Sequence, residues 1–206
     1  MIEGVVHVVD DDEALRDSLA FLLEAADIAT RMYATPGALL AKLGDLEPGC
    51  ILTDVRMPEM TGIELIRKLG AEGVGHPVIV MTGHADVPLA IEAMRLGVRD
   101  FIEKPFDDEL LIASLEAALR QEAAERQRQG EREAILERIN GLSPREMEVL
   151  HGLVEGKPNK VIAYDLQISP RTVEVHRAHV MTKMNARSLS DLVRMSLLVG
   201  NGGETK

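Results

Sequence analysis

Asp10, Asp11 and Asp12 follow directly on the apolar run Val5 to Val9, and Asp54 closes a second such run, Cys50 to Thr53. If both runs are strands of one sheet, Asp10, Asp11 and Asp54 meet at its carboxyl edge. Three carboxylates in so small a volume repel strongly unless a cation joins them. A hard divalent ion suits such oxygen donors, and Mg2+ is the natural choice. A plainer reading gives the triplet a local task, capping and charging the N-terminus of the helix that follows.

The elements that must position these groups are legible. Short β-branched or apolar runs recur at Val5 to Val9, Ala29 to Tyr33, Cys50 to Thr53, Val78 to Met81 and Phe101 to Ile102, each followed by a segment of helical period. Leu15, Leu19, Leu22 and Leu23 share one helix face, as do Ile63, Ile66 and Leu69. Near-continuous apolar strands alternating with amphipathic helices predict a doubly wound, mostly parallel α/β sheet covered on both faces. Ligands of such sheets bind outside the carboxyl ends of the strands, where the strand order reverses.

The motifs Val9-Asp10-Asp11, Thr53-Asp54-Val55-Arg56-Met57-Pro58, Met81-Thr82-Gly83-His84 and Phe101-Ile102-Glu103-Lys104-Pro105-Phe106 resemble those of a two-component receiver domain over residues 3–121. The resemblance implies a five-stranded, CheY-like receiver over 1–121 in which Asp54 accepts a phosphoryl group from a sensor histidine kinase. It further implies that Asp11, Asp54 and the backbone carbonyl of Arg56 bind Mg2+, with Asp10 orienting the ion through water. Phosphoryl transfer is catalysed by positioning and charge neutralisation, which explains the family's lysine, here Lys104. Thr82 would bond the new phosphoryl oxygen, and Phe101 would turn into the space that Thr82 vacates. The family often has tyrosine at that switch position, so a read-out through a ring hydroxyl is not expected. Val87, Ala90, Ile91 and Met94 give the nearby helix a partly apolar face that predicts a dimer interface.

From Arg120 to Arg138 the composition turns to Glu, Gln, Arg and Ala, which predicts a helical linker over 122–140 with Gly130 as a candidate hinge. Four helical stretches follow, at Pro144 to Glu155, Asn159 to Leu166, Pro170 to Met184 and Ser188 to Val199. Ser143-Pro144 before Glu146, and Ser169-Pro170, are start signals. The segments Leu142 to Glu146, Glu155 to Lys160 and Ile168 to Arg177 resemble the LuxR/NarL class of helix-turn-helix, an all-α DNA-binding domain over 141–206. Its recognition helix would be Arg171 to Met184, with Val173, Val180 and Met184 facing the core and Thr172, His176 and Lys183 on or near the other side. Asn159, Lys160, Arg171, Thr172, Val173, His176, Arg177 and Lys183 are the candidate DNA contacts.

Charge follows the same division. Residues 1–120 hold 10 Lys and Arg against 22 Asp and Glu, whereas 141–206 hold 9 against 7 with three further histidines. An acidic front half suits a cation and a mildly basic tail suits a polyanion, despite the overall charge of −11. The lone Cys50 permits no internal disulfide, and five aromatic residues leave nothing for a base-stacking platform. No apolar stretch approaches the roughly 20 residues of a membrane span, and no signal peptide is visible, so a cytoplasmic protein is expected. A haloacid-type phosphatase would require Asp-x-Asp where Asp54-Val55-Arg56 stands, and a dinucleotide site a glycine-rich turn where Asp10-Asp11-Asp12 stands. Taken whole, the chain resembles the FixJ/NarL response regulators and leans toward FixJ. That implies a phosphorylation-activated transcription factor, a homodimer on promoter DNA, which works with RNA polymerase in oxygen-linked or nitrogen-fixation-type control.

Overall fold

The computed structural model describes residues 3–83 and 87–200, with 87–90 described through the backbone alone. It divides into two compact units, Met1–Arg126 and Gln127–Lys206.

In the first unit five parallel strands, β1 (Val5–Val9), β2 (Ala29–Tyr33), β3 (Gly49–Asp54), β4 (Val78–Thr82) and β5 (Asp100–Glu103), pair in the order β2-β1-β3-β4-β5. β1, β3 and β4 are buried throughout, as strands covered on both faces must be. The strands outrun the apolar runs of the sequence because a parallel ladder pairs backbone to backbone whatever the side chain. Asp54 thereby pairs with Met81, and Thr82 with Glu103. One face packs Val6, Val8, Leu52 and Met81 against α1 (Glu13–Ala25) and the first half of α5 (Asp108–Asn140), through Leu19, Leu23, Leu111 and Leu115. The other packs Val9, Ile51 and Val80 against α2 (Pro36–Leu40), α3 (Gly62–Ala71) and α4 (Val87–Arg95), through Leu39, Leu65, Ile66 and Ala93. Strand order reverses between β1 and β3, so the ends of these two strands flank the crevice that such a sheet offers a ligand.

The buried histidine of the sheet is satisfied. His7 on β1 is buried, and its Nε2 donates to the carbonyl of Glu47 at 2.9 Å, which leaves Nδ1 to accept from the Tyr33 hydroxyl at 3.2 Å. Burial holds its ring below the ordinary histidine pKa, as that neutral tautomer requires. Thr61 and Glu64 form a reciprocal capping box at the start of α3. Directly after it the backbone passes so close to β3 that a Cβ at Gly62 would stand 2.2 Å from the carbonyl oxygen of Asp54.

The second unit is all-α: the end of α5, then α6 (Pro144–Val154), α7 (Asn159–Asp165), α8 (Pro170–Lys183) and α9 (Leu189–Gly200). Its core joins Ile135, Leu150, Leu153, Ile162, Val180 and Leu192. Ser143 and Glu146 make a capping box at α6, Ser169 caps α8, and Gly156 ends the α6 segment at φ 75°. Helix α5 is 33 residues long and Gly130 lies within it. Among the described residues no helix is long and apolar enough to cross a membrane.

Candidate functional site

At the carboxyl edge of the sheet the chain brings together residues far apart in sequence. Lys104, just after β5, donates from Nζ to Asp54 Oδ1 at 2.7 Å and to Asp10 Oδ2 at 2.9 Å. Both carboxylates are buried, and the lysine is partly so. Burial works against the ammonium, yet its hydrogen bonds to Asp54 and Asp10 outweigh that cost and hold Lys104 above the usual lysine pKa. The remaining oxygens are also engaged. Asp54 Oδ2 accepts from the Arg56 N–H at 2.8 Å, and Asp10 Oδ1 from the Asp12 N–H at 2.9 Å. Thr82 is buried at the end of β4, where its carbonyl accepts the N–H of Lys104. Asp54 is therefore a carboxylate at a crevice mouth with a cation against one oxygen, an arrangement suited to receiving an electrophilic phosphorus.

The acidic triplet divides its labour. Asp12 caps α1, its carboxylate accepting from Ala14 and Leu15, so the local reading holds for this residue. Asp10 turns inward to Lys104. Asp11 is exposed, and among the described residues no three His, Cys, Asp or Glu groups stand close enough to hold a metal ion. Lys104 thus brings together two of the three carboxylates, Asp10 and Asp54, and Asp11 stands exposed next to Asp10 in the chain. The donor chemistry still suits Mg2+: hard oxygens, two of them buried and already paired with a cation. Phe101 is half-buried against the α3/α4 core. Ile91 and Met94 are exposed on α4, while the side chains of Val87 and Ala90, with residues 84–86, lie outside the described residues.

On α8 the candidate DNA contacts do not share one side. Val173 is fully buried in the core and has no route to a base. Thr172 is half-buried, and both its N–H and its hydroxyl engage Ser169, the cap. Lys183 donates to Glu146 Oε2 at 2.7 Å and to the carbonyl of Gly141 at 3.3 Å. His176 is half-buried with an unpartnered Nδ1. The reason is angular: at about 100° per residue from the Val173–Val180–Met184 stripe, His176 and Lys183 flank the core, and the opposite side belongs to Arg171, Val175, Ala178 and Thr182. All four are exposed, as is Glu174. Val175 and Ala178 thus stand with Arg171 on the outward side of α8. Arg177 is half-buried and donates to Asn159 Oδ1 at 3.3 Å, while Lys160 is exposed at the start of α7.

Glu146 binds this unit together. Hydrogen bonds from the Lys183 ammonium and from the Ser143 N–H pull its pKa down to about 2 from 4.5. Because the folded value lies below the unfolded one, the stabilisation is complete above about pH 4.5 and fades as pH falls toward 2. The urea midpoint, followed by helical ellipticity, is therefore expected to fall more between about pH 5 and pH 3 in the natural chain than in Glu146→Gln. Equal pH dependence would remove Glu146 from the acid response.

A parallel α/β sheet with an aspartate–lysine–aspartate cluster at its carboxyl edge, followed by a capped helix-turn-helix, is the plan of a response regulator. Comparison with known proteins bears this out. Residues 6–116 match the response regulator receiver domain, and 140–196 match the luxR family of bacterial regulatory proteins. The transcriptional regulatory protein FixJ of Azorhizobium caulinodans is 56% identical, over 95% of this chain and 92% of its own. The C4-dicarboxylate transport transcriptional regulatory protein DctR of Rhodobacter capsulatus is 48% identical, over 93% and 98%. The crystal structure of full-length FixJ from B. japonicum, 47% identical, superposes with a TM-score of 0.61 over 98% of this chain and 99% of that one.

The chain belongs to the FixJ/NarL response regulators. It is a phosphorylation-dependent transcriptional regulator rather than an enzyme. Its receiver implies a histidine kinase partner, and its luxR-type domain implies DNA binding. Receiver domains generally use Mg2+ at the phosphorylation site.

Proposed function

We propose that Asp54 is the phosphoacceptor and that its phosphorylation is what licenses DNA binding by α8. A carboxylate oxygen of Asp54 attacks the phosphorus of a phosphohistidine on the kinase, the P–N bond breaks, and the histidine nitrogen keeps the electron pair. The chain catalyses this transfer itself, and later the hydrolysis that returns the carboxylate and releases inorganic phosphate. Asp11, Asp54 and the carbonyl of Arg56 would hold Mg2+, with Asp10 orienting it through water. The ion supplies charge neutralisation at the transferring oxygens. Lys104 exchanges a carboxylate partner for a phosphoryl oxygen, Thr82 donates its hydroxyl to another, and Phe101 follows into the space released. Ile91 and Met94, with Val87 and Ala90, form the face on which two phosphorylated copies pair.

The observation that carries this reading is the Lys104 ammonium bonded to both Asp54 and Asp10. It places a cation where the phosphoryl charge must arrive. In this scheme the receiver spans 1–121, a helical linker 122–140, and the DNA-binding domain 141–206. The dimer presents two α8 helices to a two-fold operator, in the cytoplasm, where RNA polymerase completes the complex. Moving such an equilibrium from 1:99 to 99:1 takes about 5.5 kcal/mol, within reach of a few contacts exchanged. The test is retention of genomic DNA fragments with and without acetyl phosphate and Mg2+. Retention is expected to rise on phosphorylation, and identical retention would end the proposal.

Likeness to FixJ favours activation of nitrogen-fixation genes under oxygen-linked control. Identity to DctR nearly as high favours a second reading, control of dicarboxylate transport, and sequencing the retained fragments separates the two. Arg177→Ala is expected to weaken specific and random DNA alike and to flatten the salt slope by about one unit. An unchanged slope would confine Arg177 to its contact with Asn159.

A further inference from the structure

We propose that Arg171, Glu174, Val175 and Ala178 form the base-reading stripe of α8, and that Glu174 selects cytosine through its N4 amino group at one position of each operator half-site. The inference rests on the reading above that α8 enters DNA. The four residues stand at i, i+3, i+4 and i+7, one face of the helix, and together they line a single open concavity of the surface. All are exposed, and all fall in the N-terminal part of α8, where a recognition helix meets base edges.

Glu174 is the anomaly on this stripe. A carboxylate facing a polyanion weakens binding by repulsion unless a hydrogen-bond donor meets it. The protein supplies none: among the described residues Glu174 makes no ion pair and no side-chain hydrogen bond, although Arg171 and Arg177 stand three positions away on either side. The donor must then come from the DNA. Phosphates offer acceptors only, and in the major groove the donors are the amino groups of cytosine and adenine. Adenine sets its N7 acceptor beside the amino group, which repels a carboxylate, whereas cytosine shows a donor alone. Cytosine is the base that suits. The neighbours follow the same code, since an arginine such as Arg171 matches guanine O6 and N7, while Val175 and Ala178 are small and apolar enough to meet thymine methyl groups. One cation, one anion and two apolar groups add little net charge. Such a stripe discriminates between sequences rather than holding phosphates.

The full chain, with acetyl phosphate and Mg2+, is used to select duplexes from a randomised library as the natural protein, as Glu174→Gln and as Glu174→Ala, and the retained sequences are compared. The natural chain is expected to require cytosine at one position of each half-site, with a single replacement there weakening binding at least about fivefold by fluorescence anisotropy. Glu174→Gln should move that preference to adenine, whose N6 and N7 a carboxamide matches, and leave the other positions alone. Glu174→Ala should erase the preference without lowering affinity for random DNA or flattening the salt slope, because no phosphate contact is lost. Glu174 is exposed, so the melting temperature of both variants should hold. The same sequences retained by all three proteins, or a natural preference for any base but cytosine at the position these substitutions alter, would overturn the inference and leave DNA binding standing. No retention by the natural chain would end the DNA-binding reading as well.

Discussion

Asp54→Asn is expected to gain no phosphoryl group when incubated with acetyl phosphate and Mg2+, while the natural chain gains the mass of one. The substitution preserves volume and both flanking strand pairings, so the sheet has no reason to change. It removes the nucleophile, because an amide oxygen carries no charge and forms no acyl phosphate. It also removes one of the two carboxylates that hold Lys104, leaving that ammonium to Asp10 alone. The response of DNA binding to phosphodonor should vanish with the label. Intact mass measurement decides the matter, and full labelling of the variant would move the acceptor elsewhere.

The second large effect concerns α8. Ala178→Glu is expected to weaken DNA binding by roughly a hundredfold across the two copies of a dimer, since a carboxylate would meet the phosphates and base edges of the groove. Ala178 is exposed opposite the buried stripe, so helix content and melting temperature should hold. Val173→Ala should do the reverse. It truncates a fully buried side chain and costs roughly 1 to 3 kcal/mol of stability, and it leaves any DNA affinity of the folded fraction intact. Fluorescence anisotropy beside thermal melting separates the pair. Unaltered binding by Ala178→Glu would mean that this side of the helix does not face DNA.

These two cases mark how far the sequence could be read. Strand and helix positions were legible because each depends on neighbours: Val5 to Val9 needs only its own β-branched run, and Ser143 with Glu146 needs three residues to make a cap. The acidic cluster was legible in its members but not in its geometry, since the sequence places Asp11 beside Asp10 and cannot say which of them turns inward. On α8 the basic and polar types drew the eye to Thr172, His176 and Lys183, whereas the core stripe sets the phase and turns Val175 and Ala178 outward.

The order and type of the elements, the chemistry at the strand ends and the division into two functional halves were determined by the chain's linear pattern, because hydrophobic period and capping act over a few residues. The meeting of Lys104 with Asp10 across 94 positions, the exposure of Asp11 and the unpaired Glu122 oxygen were decided by the fold alone. Charge balance inside a packed sheet depends on which side chains the crossovers bring within a few ångströms, and no local rule contains that distance.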